Sequence, residues 1–348
     1  MVKKILVRAP NWVGDGVMAT PALTTLRSNF KEAEIIVLAK PAVAALLLHH
    51  PAIDRILVYE APGRHTGPVG FLRLVTLLRR ERFDLAILLQ NAFEAALLSW
   101  LAGIPKRHGY DTDGRAFLLT SALSRKKAPQ HQREAFSQVV PCKYQQSAIP
   151  TPENTPSLLL MEEEVKTVSV KLASLGIAKN DFLVGISPGT ATGSAKRWLP
   201  ERFAELADRL VEKYQAKILL LGGPNDRAVS EEVQSTMKRE AILLAGDSPL
   251  REMMAVLSLC RLSISNDSGP MHIASALGIP YIALFGATIP AAAFPGGLTG
   301  RGIYHAVNCS PCKFSVCPVN HHCMTAISVE EVFTVAQELI AVSKKENV

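Results

Sequence analysis

Four short polar segments carry residue types that a plain connector does not need. In the first, Asn11-Trp12-Val13-Gly14-Asp15-Gly16, two glycines flank one carboxylate. They let the chain turn sharply and present Asp15 at a predicted helix start. There the helix end stabilises an ionised carboxylate, which suits a general base. A simple helix cap would use the same residue. The second segment, Ser187 to Trp198, mixes small residues and hydroxyls, Thr190 among them, with the adjacent cations Lys196 and Arg197. That mixture suits a pyrophosphate cradle, although it lacks Walker spacing. A solvated surface loop is the plainer reading.

The third segment is Leu221-Gly222-Gly223-Pro224-Asn225-Asp226. Asp226 is placed either to accept hydrogen bonds from a ribose or base, or to cap a helix. The fourth, Ser265-Asn266-Asp267-Ser268-Gly269-Pro270-Met271-His272, ends a strand and opens a helix at Ser268 and Gly269. Free N–H groups at such a start form a natural diphosphate site. Asp267 and His272 share that helix start, which favours function over a structural histidine.

These segments need elements that place them side by side. The chain alternates short apolar runs with amphipathic stretches, first over residues 3–89 and again over 182–285. Phe71, Leu74, Val75 and Leu78 mark one predicted helix; Phe203, Leu206, Leu210 and Val211 mark another. One helix is expected over about 17–30. Alternating strands and helices imply right-handed crossovers and parallel sheets. The fold class is therefore α/β, with two Rossmann-like domains facing one another. Ligands of such sheets bind beyond the carboxyl ends of the strands, where all four segments fall. Five prolines between residues 126 and 164 mark an irregular connection. The expected domains are residues 1–165 and 166–325. A closing helix over 326–348, opened by a Ser328/Glu331 capping box, is free to dock on the N-terminal domain.

Composition narrows the partners. The 348 residues are 48% hydrophobic and carry a net charge of +7, with mean hydropathy of +0.16. Buried parallel strands account for the apolar content, and no run is long enough to span a bilayer. The N-terminus reads as that of a cytoplasmic protein, because Arg8, Pro10, Asn11 and Asp15 interrupt any signal-like stretch. Basic charge favours anionic partners. Without a dense basic face or interleaved aromatics, nucleic acid is set aside in favour of a phosphorylated substrate at a membrane surface.

The segments Ala9-Pro10-Asn11-Trp12-Val13-Gly14-Asp15 with Met18 to Leu23, Pro188-Gly189 with Lys196-Arg197-Trp198, and Asn266 to Gly269 with Met271-His272 together resemble the lipopolysaccharide heptosyltransferase family. The resemblance spans the chain in the family's order. It implies a GT-B fold, with an N-terminal acceptor domain and a C-terminal nucleotide-sugar domain around a central cleft. It also implies ADP-L-glycero-D-manno-heptose as donor and the lipopolysaccharide inner core as acceptor, with peripheral contact at the inner membrane. Asp15 matches the family's proposed base. Lys196, Asp267, Gly269 and His272 match the residues that hold the donor, Thr190 and Ser268 are donor-binding candidates in the same two segments, and Asp226 stands near the position that holds the ribose. Metal-independent inversion follows, with Lys196 and the Ser268-Gly269 amides meeting the charge on the departing diphosphate. No cofactor is then required. The one Asp-x-Asp, Asp111-Thr112-Asp113, reads as a polar turn.

Cys309, Cys312, Cys317 and Cys323 form C-x2-C-x4-C-x5-C. Such clustering suggests a structural zinc over disulfides, with reduced, unligated thiols the alternative. Arg64, His65, Arg107, His108 and Arg115 lie in the expected acceptor half, where acceptor phosphates or carboxylates can be met, although most such residues are simply solvated. A transferase for another nucleotide sugar would show the same residues. A two-domain epimerase is the rival class, and it would turn over its nucleotide sugar without an acceptor.

Overall fold

The computed structural model describes residues 2–125, 130–141, 155–297, 299–312 and 314–345. Cys142, Lys126 and Lys127, and much of the expected irregular connection, lie outside them. The chain divides into two compact units, Met1–Leu159 and Leu160–Val348.

The first unit runs β1 (Lys4–Arg8), α1 (Val13–Met18), α2 (Thr20–Asn29), β2 (Glu34–Ala39), α3 (Pro41–Leu46), β3 (Arg55–Val58), α4 (Gly67–Glu81), β4 (Leu85–Leu88), α5 (Phe93–Leu101), β5 (Lys106–Tyr110), β6 (Ser121–Leu123) and α6 (Gln132–Val139). Its six strands lie in the order β3-β2-β1-β4-β5-β6. Every described pairing is parallel. Side chains alternate across the sheet. Ile5 and Val7 of β1 enter one core with Met18, Leu23, Leu26 and Phe136. Leu6 enters the other, with Leu74, Leu78 and Leu98. Both faces are therefore covered, which is why the strands read as unbroken apolar runs.

The helix expected over 17–30 is two helices. Pro21 sits in the first turn of α2 and has no N–H to continue a helix from upstream. Thr20 Oγ1 donates to the Val17 carbonyl at 2.8 Å, which closes the preceding turn.

The second unit runs α7 (Glu162–Ser174), β7 (Leu183–Ser187), α8 (Pro200–Tyr214), β8 (Lys217–Leu220), α9 (Arg227–Thr236), β9 (Ala241–Leu243), α10 (Leu250–Leu259), β10 (Leu262–Asn266), α11 (Gly269–Ala276), β11 (Tyr281–Phe285), α12 (Pro290–Ala293), β12 (Gly300–Tyr304), α13 (His322–Thr325) and α14 (Val329–Lys345). Its sheet order is β12-β11-β10-β7-β8-β9, again with parallel pairings. Numbered from its own first strand, each sheet reads 3-2-1-4-5-6, the Rossmann order.

The closing helix α14, expected as a separate segment able to dock on the N-terminal half, belongs to the second unit's own core. Val332, Ala336, Leu339 and Ile340 pack there with Trp198, Phe203 and Leu206. Its start is half of a capping box. Ser328 Oγ accepts from the Glu331 N–H at 3.1 Å, but the Glu331 carboxylate pairs with His305 at 2.8 Å. Among the described residues no helix is long and apolar enough to cross a membrane.

Candidate functional site

In the second unit, strand order reverses between β7 and β10, and the loops leaving these strands meet at their carboxyl ends. Asn266 ties them together. Its Nδ2 donates to the Pro188 carbonyl at 2.8 Å, and its Oδ1 accepts from the Trp198 N–H at 2.9 Å. Trp198 is fully buried, edge-on to Phe203, with its indole N–H on the Ile327 carbonyl. The motif tryptophan is thus a root for the loop that carries Lys196.

Lys196 Nζ lies 2.7 Å from Asp267 Oδ2. The carboxylate is only 7% exposed and the lysine 23%. The same oxygen accepts from the Thr288 hydroxyl, and the Asp267 N–H is fixed to the Leu284 carbonyl at 3.0 Å. A lysine ammonium has three donors, so one bond to Asp267 orients the group without exhausting it. Thr190 is buried in the same loop and donates to the Gly193 carbonyl.

Ser268 precedes α11 in an extended conformation and places no side-chain cap on it. Its hydroxyl turns back to the Asn266 carbonyl at 3.3 Å, so Gly269 opens the helix uncapped by it. His272 follows on the same helix and is 4% exposed. Asp226 comes from the loop after β8. Its Oδ2 accepts from the Gly223 N–H at 3.0 Å, and its side chain lies directly on Gly189. A Cβ at Gly189 would sit 1.9 Å from Asp226 Oδ1, so only glycine lets the two loops touch. The structure therefore gathers the donor-side candidates Thr190, Lys196, Asp226, Asp267, Ser268, Gly269 and His272 at one edge of one sheet.

Two contributors were missed in sequence. Thr288 follows β11 in Gly286-Ala287-Thr288, a polar residue after a strand that the same logic would have flagged. Ser315 accepts from the Ala195 N–H at 3.0 Å, so the cysteine-rich segment buttresses the Lys196 loop. No local pattern announces that contact.

In the first unit, Asp15 is half-buried in the first turn of α1. Gly16 seats that helix. A Cβ there would come within 2.9 Å of Leu46 Cδ2 and 3.1 Å of Val43 Cγ1, so α1 lies directly on α3. Arg8, at the end of β1, holds the intervening loop. It donates to the Ala9 carbonyl at 2.7 Å and to Asn11 Oδ1 at 2.9 Å, and it lies 5.1 Å over the Tyr59 ring. Burial brings its pKa down to about 10, which leaves it cationic at neutral pH.

Arg115 is not open to an acceptor. It is fully buried, and its guanidinium donates to the carbonyls of Tyr110, Gln90 and Ala92 and to Asn91 Oδ1, fixing the loop after β4. The Asp-x-Asp is a turn with each carboxylate engaged. Asp111 accepts from the Ser124 hydroxyl at 2.6 Å, and Asp113 accepts from the Phe93 N–H at 2.6 Å at the start of α5.

The structure gives the zinc expectation no support. Among the described residues no group of three or more His, Cys, Asp or Glu side chains is arranged to hold a metal ion. Cys309 is exposed, while Cys323 is buried against the Gly286 backbone and burial raises its pKa.

Comparison with known proteins agrees with this architecture. The sequence model of Glycosyltransferase family 9 (heptosyltransferase) matches residues 71–322. The lipooligosaccharide heptosyltransferase 2 of Haemophilus ducreyi is 31% identical over 305 residues, covering 82% of this chain and 84% of that protein. The lipopolysaccharide heptosyltransferase 2 of Escherichia coli K12 is 31% identical over 300 residues, with the same coverage. The solved structure of E. coli ADP-heptose LPS heptosyltransferase II superposes with a TM-score of 0.84 at 27% identity, over 98% of this chain and 99% of that one. The fold is accordingly of GT-B type, as the motif resemblance implied. The chain belongs to glycosyltransferase family 9, the heptosyltransferase family, and is a glycosyltransferase.

Proposed function

We propose that the protein transfers L-glycero-D-manno-heptose from ADP-heptose to the inner core of lipopolysaccharide, with inversion, at the cytoplasmic face of the inner membrane. The observation that carries this reading is the Lys196–Asp267 pair beside the uncapped start of α11, in a chain similar throughout to heptosyltransferases 2. Lys196 and the first N–H groups of α11 bind the diphosphate, with Thr190 and His272 beside them. Asp226 lies on the loop nearest the nucleoside.

Asp15 accepts the proton of an acceptor hydroxyl. The freed oxygen attacks the anomeric carbon from the face opposite ADP. The bond from that carbon to the diphosphate oxygen breaks, and its electron pair leaves with ADP. Negative charge grows on the diphosphate as the sugar becomes oxocarbenium-like, and Lys196 with the helix start stabilises it. No divalent cation or other cofactor is assigned a part in this mechanism. Chelation with EDTA should leave the rate unchanged.

The test is a transfer assay with ADP-heptose and a defined inner-core acceptor, read by mass. One added heptose, only when acceptor is present, supports the reading. Turnover of ADP-heptose without acceptor would indicate an epimerase or hydrolase. Transfer from a different nucleotide sugar alone would reassign the donor.

A further inference from the structure

Helix α4 has two apolar faces. Leu74, Val75 and Leu78 are buried against the sheet, as a packed helix requires. At the spacing i, i+3, i+8, however, Val69, Leu72 and Leu77 point away from the core, 65%, 57% and 40% exposed. A groove of about 620 Å³ runs along them and is also lined by Arg73 and Arg80. On the neighbouring helix α5, Trp100 is 49% exposed, and Arg79 of α4 donates to the adjacent Leu101 carbonyl at 2.6 Å. A solvated helix face would be polar at these positions, and contiguous exposed aliphatics rimmed by cations mark a contact surface.

Charge decides what covers it. Arg73, Arg79 and Arg80 are exposed on or beside the face. Its one acid, Glu81, is neutralised by Lys4 at 2.6 Å and Arg55 at 2.7 Å. A second copy of the same face would set arginine against arginine, which disfavours self-association. An anionic bilayer complements both features, with phosphates for the guanidinium groups and acyl chains for Val69, Leu72 and Leu77. The indole of Trp100 suits the interface between them. Arginine stems long enough to lie along the aliphatics let the charged heads reach the headgroups.

We propose that the outer face of α4, with Trp100, is the surface by which this protein lies on an anionic phospholipid membrane. The purpose assigned to it, delivery of a lipid-linked acceptor, rests on the function proposed above; the binding itself needs no substrate. The test is co-sedimentation of the full chain with phosphatidylethanolamine/phosphatidylglycerol vesicles (3:1, our choice) and with pure phosphatidylcholine vesicles, as set by the preference of basic interfacial helices for anionic lipid.

The protein should sediment with the first and remain soluble with the second, and added salt should release it. The exposed-site doubles Arg73→Glu/Arg80→Glu and Leu72→Ser/Leu77→Ser should each lower partitioning at least about ten-fold. Both should keep wild-type circular dichroism melts and full transfer to a deacylated, soluble acceptor. Failure of the wild type to sediment with anionic vesicles overturns the proposal, as does unchanged partitioning of either double. So does a dimer, seen by light scattering, that the leucine double dissociates while vesicles are ignored; the partner would then be a second copy. Absence of transfer in the wild type would remove the functional reading and leave the vesicle result to decide this one.

Discussion

Lys196 and Asp267 are 71 residues apart in sequence and form a 2.7 Å ion pair, with the carboxylate nearly sealed from solvent. Removing either partner strands the other, which costs more than the loss of an exposed pair would. Lys196→Ala should therefore weaken ADP binding by about 10–100-fold, the worth of one charge-assisted contact. Asp267→Asn should also weaken it, because the ammonium loses its guide. Calorimetry on both singles and the double should show coupling of about 0.5–3 kcal/mol. Additive losses would mean that the pair is not one device.

Asp15 is assigned a different task, and a different parameter should report it. Asp15→Asn keeps the size of the side chain but lacks a base, so turnover should fall about 10²–10⁴-fold. ADP affinity should stay at the wild-type value, since the residue lies in the unit that carries none of the donor-side candidates. Equal loss of ADP binding would remove the base assignment.

Much of this site is legible in the sequence for a physical reason. Parallel strands buried on both faces announce themselves as apolar runs, and the polar loops after them stand out by contrast. Lys196, Asp267 and Gly269 follow such runs directly. The strand ends of β5 and β6 do not. Lys106-Arg107-His108 is polar because β5 is partly exposed at its start, so periodicity fails there. The roles of Asn266, Thr288 and Ser315 depend on partners 21 to 120 positions away, which spacing alone cannot pair. Arg115 shows the opposite error. An arginine in a loop reads as solvated or ligand-facing, yet the carbonyls of Tyr110, Gln90 and Ala92 and the Asn91 Oδ1 engage its Nε and both of its terminal nitrogens.

Gly189 tests the contact between the second and third loops. Its missing Cβ is occupied by Asp226, whose Cβ would be 2.5 Å from an alanine methyl. Gly189→Ala should cost about 1–3 kcal/mol of stability through overpacking and should weaken ADP binding as the loops part. In the double variant Gly189→Ala/Asp226→Gly the clash is gone, so most of the lost stability should return. Thermal melts in the absence of ligand separate the two effects. A double variant no more stable than Gly189→Ala alone would show that the contact is not what demands glycine.

His50 should make the first unit sensitive to acid. It is 3% exposed, and its Nδ1 accepts the Ala52 N–H at 3.2 Å, which fixes the neutral form protonated on Nε2. Burial pushes its pKa down from 6.5 to about 4. The unfolded chain therefore takes up a proton near pH 6.5, while the folded chain refuses it until about pH 4. Stability from this residue is complete above pH 6.5 and drains away as pH falls toward 4, by at most about 3 kcal/mol for a shift of this size. His50→Asn keeps an acceptor for the Ala52 N–H and does not titrate. Urea melts of both proteins across this range should show the wild type losing ground to the variant on acidification. A constant difference between them would mean that His50 titrates normally, and that the histidine is not sealed in the way the packing requires.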